Sequence, residues 1–154
     1  MKFFNVHAGT DNSEADRFDT LISPASVVAT LNQITEQEGL DTIGFDEAYP
    51  NSQRIRVEIR NEIEKCLSAG IKPVIQNSLL VYNAESSLDF IAELKKDFRD
   101  RIITVVGGQL VPFATSAYKK NPNIDVTCVG DGEVIIPQLA SDIKNGITKP
   151  FYSS

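Results

Sequence analysis

Arg101-Ile102-Ile103-Thr104-Val105-Val106-Gly107-Gly108 is an apolar run of strand length, rich in β-branched residues, that two glycines end abruptly. A strand with no polar alternation is buried on both faces, which is the habit of a parallel sheet covered by helices. Outward from it the chain repeats one theme. Lys2 to Val6, Thr42 to Asp46, Lys72 to Gln76 and Asp125 to Val129 read as further strands, and stretches of helical period separate them.

The first strand is followed by an irregular polar stretch, His7 to Leu21, read as a long loop. Ser23-Pro24 supplies an N-cap and a first-turn proline, and Val27, Val28, Leu31 and Ile34 keep helical spacing until Gly39. After Tyr49-Pro50, Ser52 caps a second helix with Ile55, Ile59, Ile63 and Leu67 inward and Arg54, Arg56, Arg60 and Lys65 on a solvated face, and Gly70 stops it. Leu88, Ile91, Leu94 and Phe98 mark a third helix and Pro112 to Lys120 a fourth. The last begins at Glu133, turns Ile136, Leu139 and Ile143 inward and ends before Gly146. Five βα units joined by right-handed crossovers predict an α/β fold with a five-stranded parallel sheet of order 2-1-3-4-5, the flavodoxin-like (Rossmann-type) doubly wound arrangement. Val105, Val106 and Val126 belong to its interior. Residues 1–147 form one domain, and 148–154, with no element of their own, read as the start of a linker to a downstream domain.

With 154 residues, 42% hydrophobic and 23% charged, the composition is that of a chain that folds around one core. A formal charge of -6 disfavours a phosphate-tracking surface, so nucleic acid is excluded as the expected partner. No run nears the roughly 18 apolar residues that span a bilayer, and the start turns polar too early for a signal peptide, which predicts no membrane partner and a cytoplasmic location. Cys66 and Cys128 have none of the spacings of zinc or iron–sulfur sites and read as buried thiols.

Doubly wound sheets bind ligands beyond the carboxyl ends of their strands. Two of those loops are glycine-rich: Val105-Val106-Gly107-Gly108-Gln109 and, one strand later, Val129-Gly130-Asp131-Gly132-Glu133. Glycine there permits positive φ and a close approach to the main chain. A tight βα turn explains either pair alone, whereas two in neighbouring loops point to a ligand.

These motifs, with Asn121-Pro122-Asn123-Ile124-Asp125 between them, resemble the cobalamin-binding domain of cobalamin-dependent radical S-adenosylmethionine enzymes. That family reads Val-x-Gly-Gly, a helix, a Pro and an Asp, then Gly-Glu-Gly-Glu. Asp131 stands for the first of those glutamates and keeps the carboxylate, while Leu110 occupies a position that is often His. Ser78-Leu79-Leu80 matches the Ser-x-Leu that follows the third strand in the wider group of cobalamin modules, where the Ser faces the benzimidazole-bearing tail. The resemblance implies a cobalamin site made by Ser78, Leu80, Gly107, Gly108, Gln109, Gly130, Asp131, Gly132 and Glu133. A side chain at Gly108 is expected to project where the tail must pass.

In the wider group an Asp-x-His-x-x-Gly motif after the first strand supplies a lower cobalt ligand. Here Asn5-Val6-His7-Ala8-Gly9 matches in His alone, and without the Asp that orients the imidazole His7 is expected not to ligate cobalt. The resemblance also implies that the chain is not catalytic alone. Its family's cluster motif, C-x-x-x-C-x-x-C, is not in the chain, so an iron–sulfur cluster and S-adenosylmethionine belong to a downstream radical domain, the expected protein partner, whose chemistry is methyl transfer or a related radical reaction.

Three rivals share the fold. A phosphoacceptor receiver needs paired acids after the first strand, an Asp after the third and a Lys after the fifth, where this chain has His7-Ala8, Gln76-Asn77 and Gly130-Asp131. A flavin phosphate loop at Gly9 to Ser13 lies too far ahead of its helix, beside the repelling Asp11 and Glu14. The third is a scaffold or partner-interaction domain that binds no cobalamin.

Overall fold

A computed structural model describes residues 1–7, 24–46 and 52–154, with the side chains of 7, 24–30, 46 and 52 outside the description. The long loop from 8 onward, the Ser23 and Ser52 caps, the 47–51 turn, and the side chains of His7, Val27 and Val28 lie outside the described residues.

Among the described residues six strands form one parallel sheet: β1 (Lys2–His7), β2 (Asp41–Asp46), β3 (Pro73–Ser78), β4 (Ile103–Gly107), β5 (Val126–Val129) and β6 (Phe151–Ser153), in the order 2-1-3-4-5-6. Five helices connect them: α1 (Pro24–Gln37), α2 (Ser52–Ser68), α3 (Ala84–Phe98), α4 (Thr115–Lys120) and α5 (Gly132–Lys144). The flavodoxin-like arrangement is present, with one strand more than the sequence pattern predicts.

The pleat divides the core. On one face Phe4, Val6 and Ile75 pack with Ile59 and Ile63 of α2 and Phe90, Leu94 and Phe98 of α3. The opposite face sets Phe3, Val74, Val105 and Val126 against Ile135, Leu139 and Ala140 of α5. Val105, Val106 and Val126 are at most 1% exposed, as a strand with two buried faces requires.

Several boundaries differ from the sequence pattern for identifiable reasons. β3 begins at Pro73 and runs beyond Gln76 through Asn77 and Ser78, because parallel pairing to β4, and to β1 as far as Asn77, continues past the apolar residues. Arg101 belongs to a 3₁₀ turn (Arg99–Arg101), so β4 begins at Ile103. A second 3₁₀ turn, Val111–Phe113, precedes α4, which starts at Thr115. Arg56 and Arg60 do not form a solvated face: the Arg56 guanidinium stacks 4.9 Å from the Phe90 ring, and Arg60 pairs with Asp97 at 2.6 Å on α3. Cys66 is buried, whereas Cys128 is half-buried.

The tail is the main correction. Residues 151–153 pair with β5 in the register Thr127↔Phe151, Cys128↔Tyr152 and Val129↔Ser153, covering an edge that would otherwise leave β5 unpaired. Three residues are too few to give a periodic signal. Side chains fix the strand: the buried Tyr152 hydroxyl donates to Asp142 Oδ2 at 2.9 Å, and Lys149 pairs with the same oxygen at 2.7 Å. Lys149, then Tyr152, hold the Asp142 carboxyl below the usual range, and burial, followed by the bond to Asp142, pushes the Tyr152 phenol up to about 12.

The signs of these shifts predict a pH window. A lowered carboxyl pKa stabilises the docked tail above the ordinary carboxylate range near pH 4 and loses that effect as the pH falls through the folded value. A raised phenol pKa stabilises it below about pH 10, an effect lost toward pH 12. Amide hydrogen exchange, corrected for its intrinsic pH dependence, should show β6 most protected between these limits and less so on either side. In Asp142→Ala the β6 amides should lose several-fold protection at pH 7; unchanged protection would show that Asp142 does not hold the tail.

Candidate functional site

The carboxyl ends of β3, β4 and β5 meet beneath the start of α5. Ser78 and Gly107 are register partners, and beyond them the two loops are laced together: Leu79 N–H donates to Gly107 O at 2.7 Å and Leu110 N–H donates to Leu79 O at 3.2 Å. Asn83, fully buried ahead of α3, accepts from Leu80 N–H at 2.8 Å and donates to Ser78 O at 3.1 Å. The Ser78–Leu80 segment is therefore held on both sides before any ligand arrives.

Gly108 has φ +105°, open to glycine and strained for other residues. A Cβ there would lie 2.8 Å from both Leu79 N and Leu79 O and 2.9 Å from Ser78 Oγ. The expected glycine-only backbone is present, and a side chain at Gly108 would strike the neighbouring Ser78–Leu79 loop. Gly107 is the residue with space. Its φ is not positive, and a Cβ would make only ordinary contacts, the nearest with Cys128 Cβ at 3.6 Å.

Gly130 repeats the left-handed turn with φ +116°, and the Ser154 side chain lies where its Cβ would stand. Ser154 Oγ accepts from Asp131 N–H at 2.8 Å, so residues just past β6 close this side of the site. Asp131 occupies the N-cap position of α5 without making a side-chain cap. Glu133 in the first turn puts negative charge near the positive end of the helix dipole.

Between these loops, α1 and α5 lies a cavity of about 160 Å³. Of the nine residues predicted for the site, Ser78, Gly107, Gly108, Gly130 and Gly132 line it, whereas Leu80, Gln109, Asp131 and Glu133 do not. Gln109, Asp131 and Glu133 are exposed and Leu80 is half-buried. Leu31 of α1 and Ile135, Ile136 and Leu139 of α5 give an apolar wall facing Val105 on the sheet. Cys128 also lines the cavity, and burial pushes its thiol up to about 12, so it is neutral at physiological pH. Among the described residues no group of three or more His, Cys, Asp or Glu side chains could hold a metal ion.

A scan against protein-family models gives no match, and a search of curated proteins finds no significant relative.

Two polar residues of the site escaped the motif reading. Gln76 lines the cavity, is 7% exposed, and its Oε1 has no hydrogen-bond partner among the described residues. Asn77 also lines the cavity and is buried, and neither of its side-chain polar atoms has a partner among the described residues. Their signal was visible as two amides closing a Val-Ile strand, where apolar residues are the rule. Asn5, the position where an Asp would orient His7, donates instead to Asn32 Oδ1 on α1 at 2.8 Å and to Thr42 Oγ1 on β2 at 3.1 Å. The motif residue Asp125 acts at the opposite end of the sheet: it accepts from Thr104 N–H at 2.7 Å and pairs with Lys95 at 2.7 Å, tying β5 to β4 and α3.

Proposed function

We propose that this domain binds cobalamin, with the aromatic base of the cofactor's tail in the cavity between Ser78 and Gly107 and the corrin ring over the carboxyl ends of the strands near Gly130 to Glu133. The observation that carries the reading is the cavity itself, about 160 Å³ with apolar walls, at the strand ends where doubly wound folds take their ligands. A dry cavity of about 150 Å³ accepts a benzene-sized ring, so the size and lining suit a flat aromatic group. The buried Gln76 Oε1, without a partner among the described residues, adds a polar anchor of the kind ligand pockets use to orient an apolar guest.

In this reading Leu31, Ile135 and Leu139 exclude water from the ring, Gly107 leaves it room, and Ser78 at the rim meets the polar part of the tail. On the same reading His7 takes no part in holding cobalt, because Asn5 stands where an Asp would supply the carboxylate that orients and charges the imidazole. When bound, cobalamin supplies a cobalt centre able to relay a methyl group. The radical chemistry, with its iron–sulfur cluster and S-adenosylmethionine, belongs to a downstream domain.

One observation favours the scaffold reading: Val81 and Phe113, on the loops after β3 and β4, are 85% and 87% exposed, as partner-facing residues are. One experiment separates the two. Protein incubated with hydroxocobalamin and passed over a sizing column should elute coloured; a colourless protein peak, with all the cofactor in the small-molecule fraction, favours the scaffold.

A further inference from the structure

On the sheet face that the cavity covers, two buried amide oxygens have no hydrogen-bond partner among the described residues. Asn5 on β1 and Gln76 on β3 are register partners, neighbours across about 4.8 Å of sheet. The pleat turns both toward the face covered by α1 and α5: Asn5 bonds to Asn32 and Thr35 of α1, and Gln76 lines the cavity. Among the described residues neither Asn5 Oδ1 nor Gln76 Oε1, both buried, has a partner. The Asn5 Nδ2 is shared among Asn32, Thr35 and Thr42, and turning the Asn5 amide over would set its Oδ1 against Asn32 Oδ1. Turning Gln76 end for end would let its Nε2 donate to Asn5 Oδ1, but would then leave its own carbonyl for the cavity. Either arrangement leaves an acceptor in surplus, and buried acceptors are rarely left unpaired.

We infer that Gln76 is the specificity-determining residue of the cavity, which selects a flat, mainly apolar ring carrying one hydrogen-bond donor, a ring N–H, an amino group or a phenolic O–H. The inference rests on the cavity being the ring-binding site of the proposed function, and narrows the ring to be placed there. Of the other lining residues, Leu31, Val105, Ile135, Ile136 and Leu139 are apolar, Ser78 and Cys128 are polar, and Asn77 is the register partner of Val6 and Val106, so the pleat that turns Gln76 toward α5 turns the Asn77 side chain to the opposite face. Within the cobalamin reading, a cofactor whose lower base bears a donor binds more tightly than one whose base offers only an acceptor nitrogen.

The test uses two rings of the same size and shape, indole with an N–H donor and benzofuran with an oxygen in its place. Affinities for the full chain are measured by calorimetry or ligand-observed NMR, alongside hydroxocobalamin. Indole should bind at least roughly tenfold more tightly than benzofuran, about the effect of one hydrogen bond to an otherwise unpaired buried group. In Gln76→Met, a change close in volume that removes the acceptor, the preference should fall to less than about twofold, with circular dichroism checking the fold. Equal affinities in the parent chain, binding of neither ring, or a preference that survives in Gln76→Met would overturn the inference. Because the ring comparison on the parent chain needs no mutant, loss of folding in the variant leaves the first criterion in force. Binding of hydroxocobalamin without an indole preference removes this inference and keeps the proposed function; an indole preference without hydroxocobalamin binding does the reverse.

Discussion

Gly108→Val is expected to destabilise the domain by about 3 kcal/mol or more, lowering Tm by roughly 6–12 °C in a chain of this size. Two costs add. Valine is β-branched and strongly disfavours φ +105°, and its Cβ would meet Leu79 N and O at 2.8 Å, backbone atoms held by their bonds to Gly107 and Leu110. Neither contact can give way without parting the β3 and β4 loops. Thermal unfolding followed by circular dichroism measures the effect. A Tm within about 2 °C of the parent would mean that the loops are less tightly joined than the structure shows.

Gly107→Val should have the opposite profile, with stability nearly kept and binding lost. Its backbone needs no positive φ, and a Cβ would touch Cys128 at 3.6 Å while the rest of the side chain enters the cavity. Excluding a ring that buries about 150 Å² of apolar surface, at about 25 cal/mol per Å², removes about 3.8 kcal/mol of binding, a loss of roughly 600-fold. The comparison between adjacent glycines is more informative than either alone. Reduced binding in Gly108→Val is ambiguous because that variant also strains the fold, whereas reduced binding in a stable Gly107→Val locates the ligand in the cavity. A stable Gly107→Val that binds hydroxocobalamin as tightly as the parent would place the ligand elsewhere.

The contrast between these glycines also marks how far the sequence could be read. That β4 ends at a glycine pair was legible, since an unbroken β-branched run stopped by two glycines has few other meanings. Which glycine makes room for a ligand was not, because the atoms that crowd Gly108 belong to Leu79, far away in sequence and brought close only by the pairing of β3 with β4. Gln76 was legible as the last residue of its strand and the first of the strand-end residues Gln76 to Leu80 where a ligand is expected, but its burial was not. An amide after Val74-Ile75 reads as a strand end, and only pairing to β4, and to β1 as far as Asn77, keeps β3 extended through Ser78 and buries Gln76 beside the cavity. The sixth strand lacked a local signal as well: Phe151-Tyr152-Ser153 is short, and its stability comes from Asp142 and Lys149 and from the open edge of β5. Asp125 was noticed as part of a motif, yet its carboxylate serves Thr104 and Lys95 at the end of the sheet remote from the cavity.

The central claim is that the cavity beneath α5 takes the tail of a cobalamin, and the most direct measurement is an equilibrium titration of the protein with hydroxocobalamin, followed in the visible spectrum. The account predicts a saturable spectral change at one equivalent per chain, present in the parent and lost in a folded Gly107→Val. A spectrum that stays the sum of free protein and free hydroxocobalamin at every ratio would contradict it.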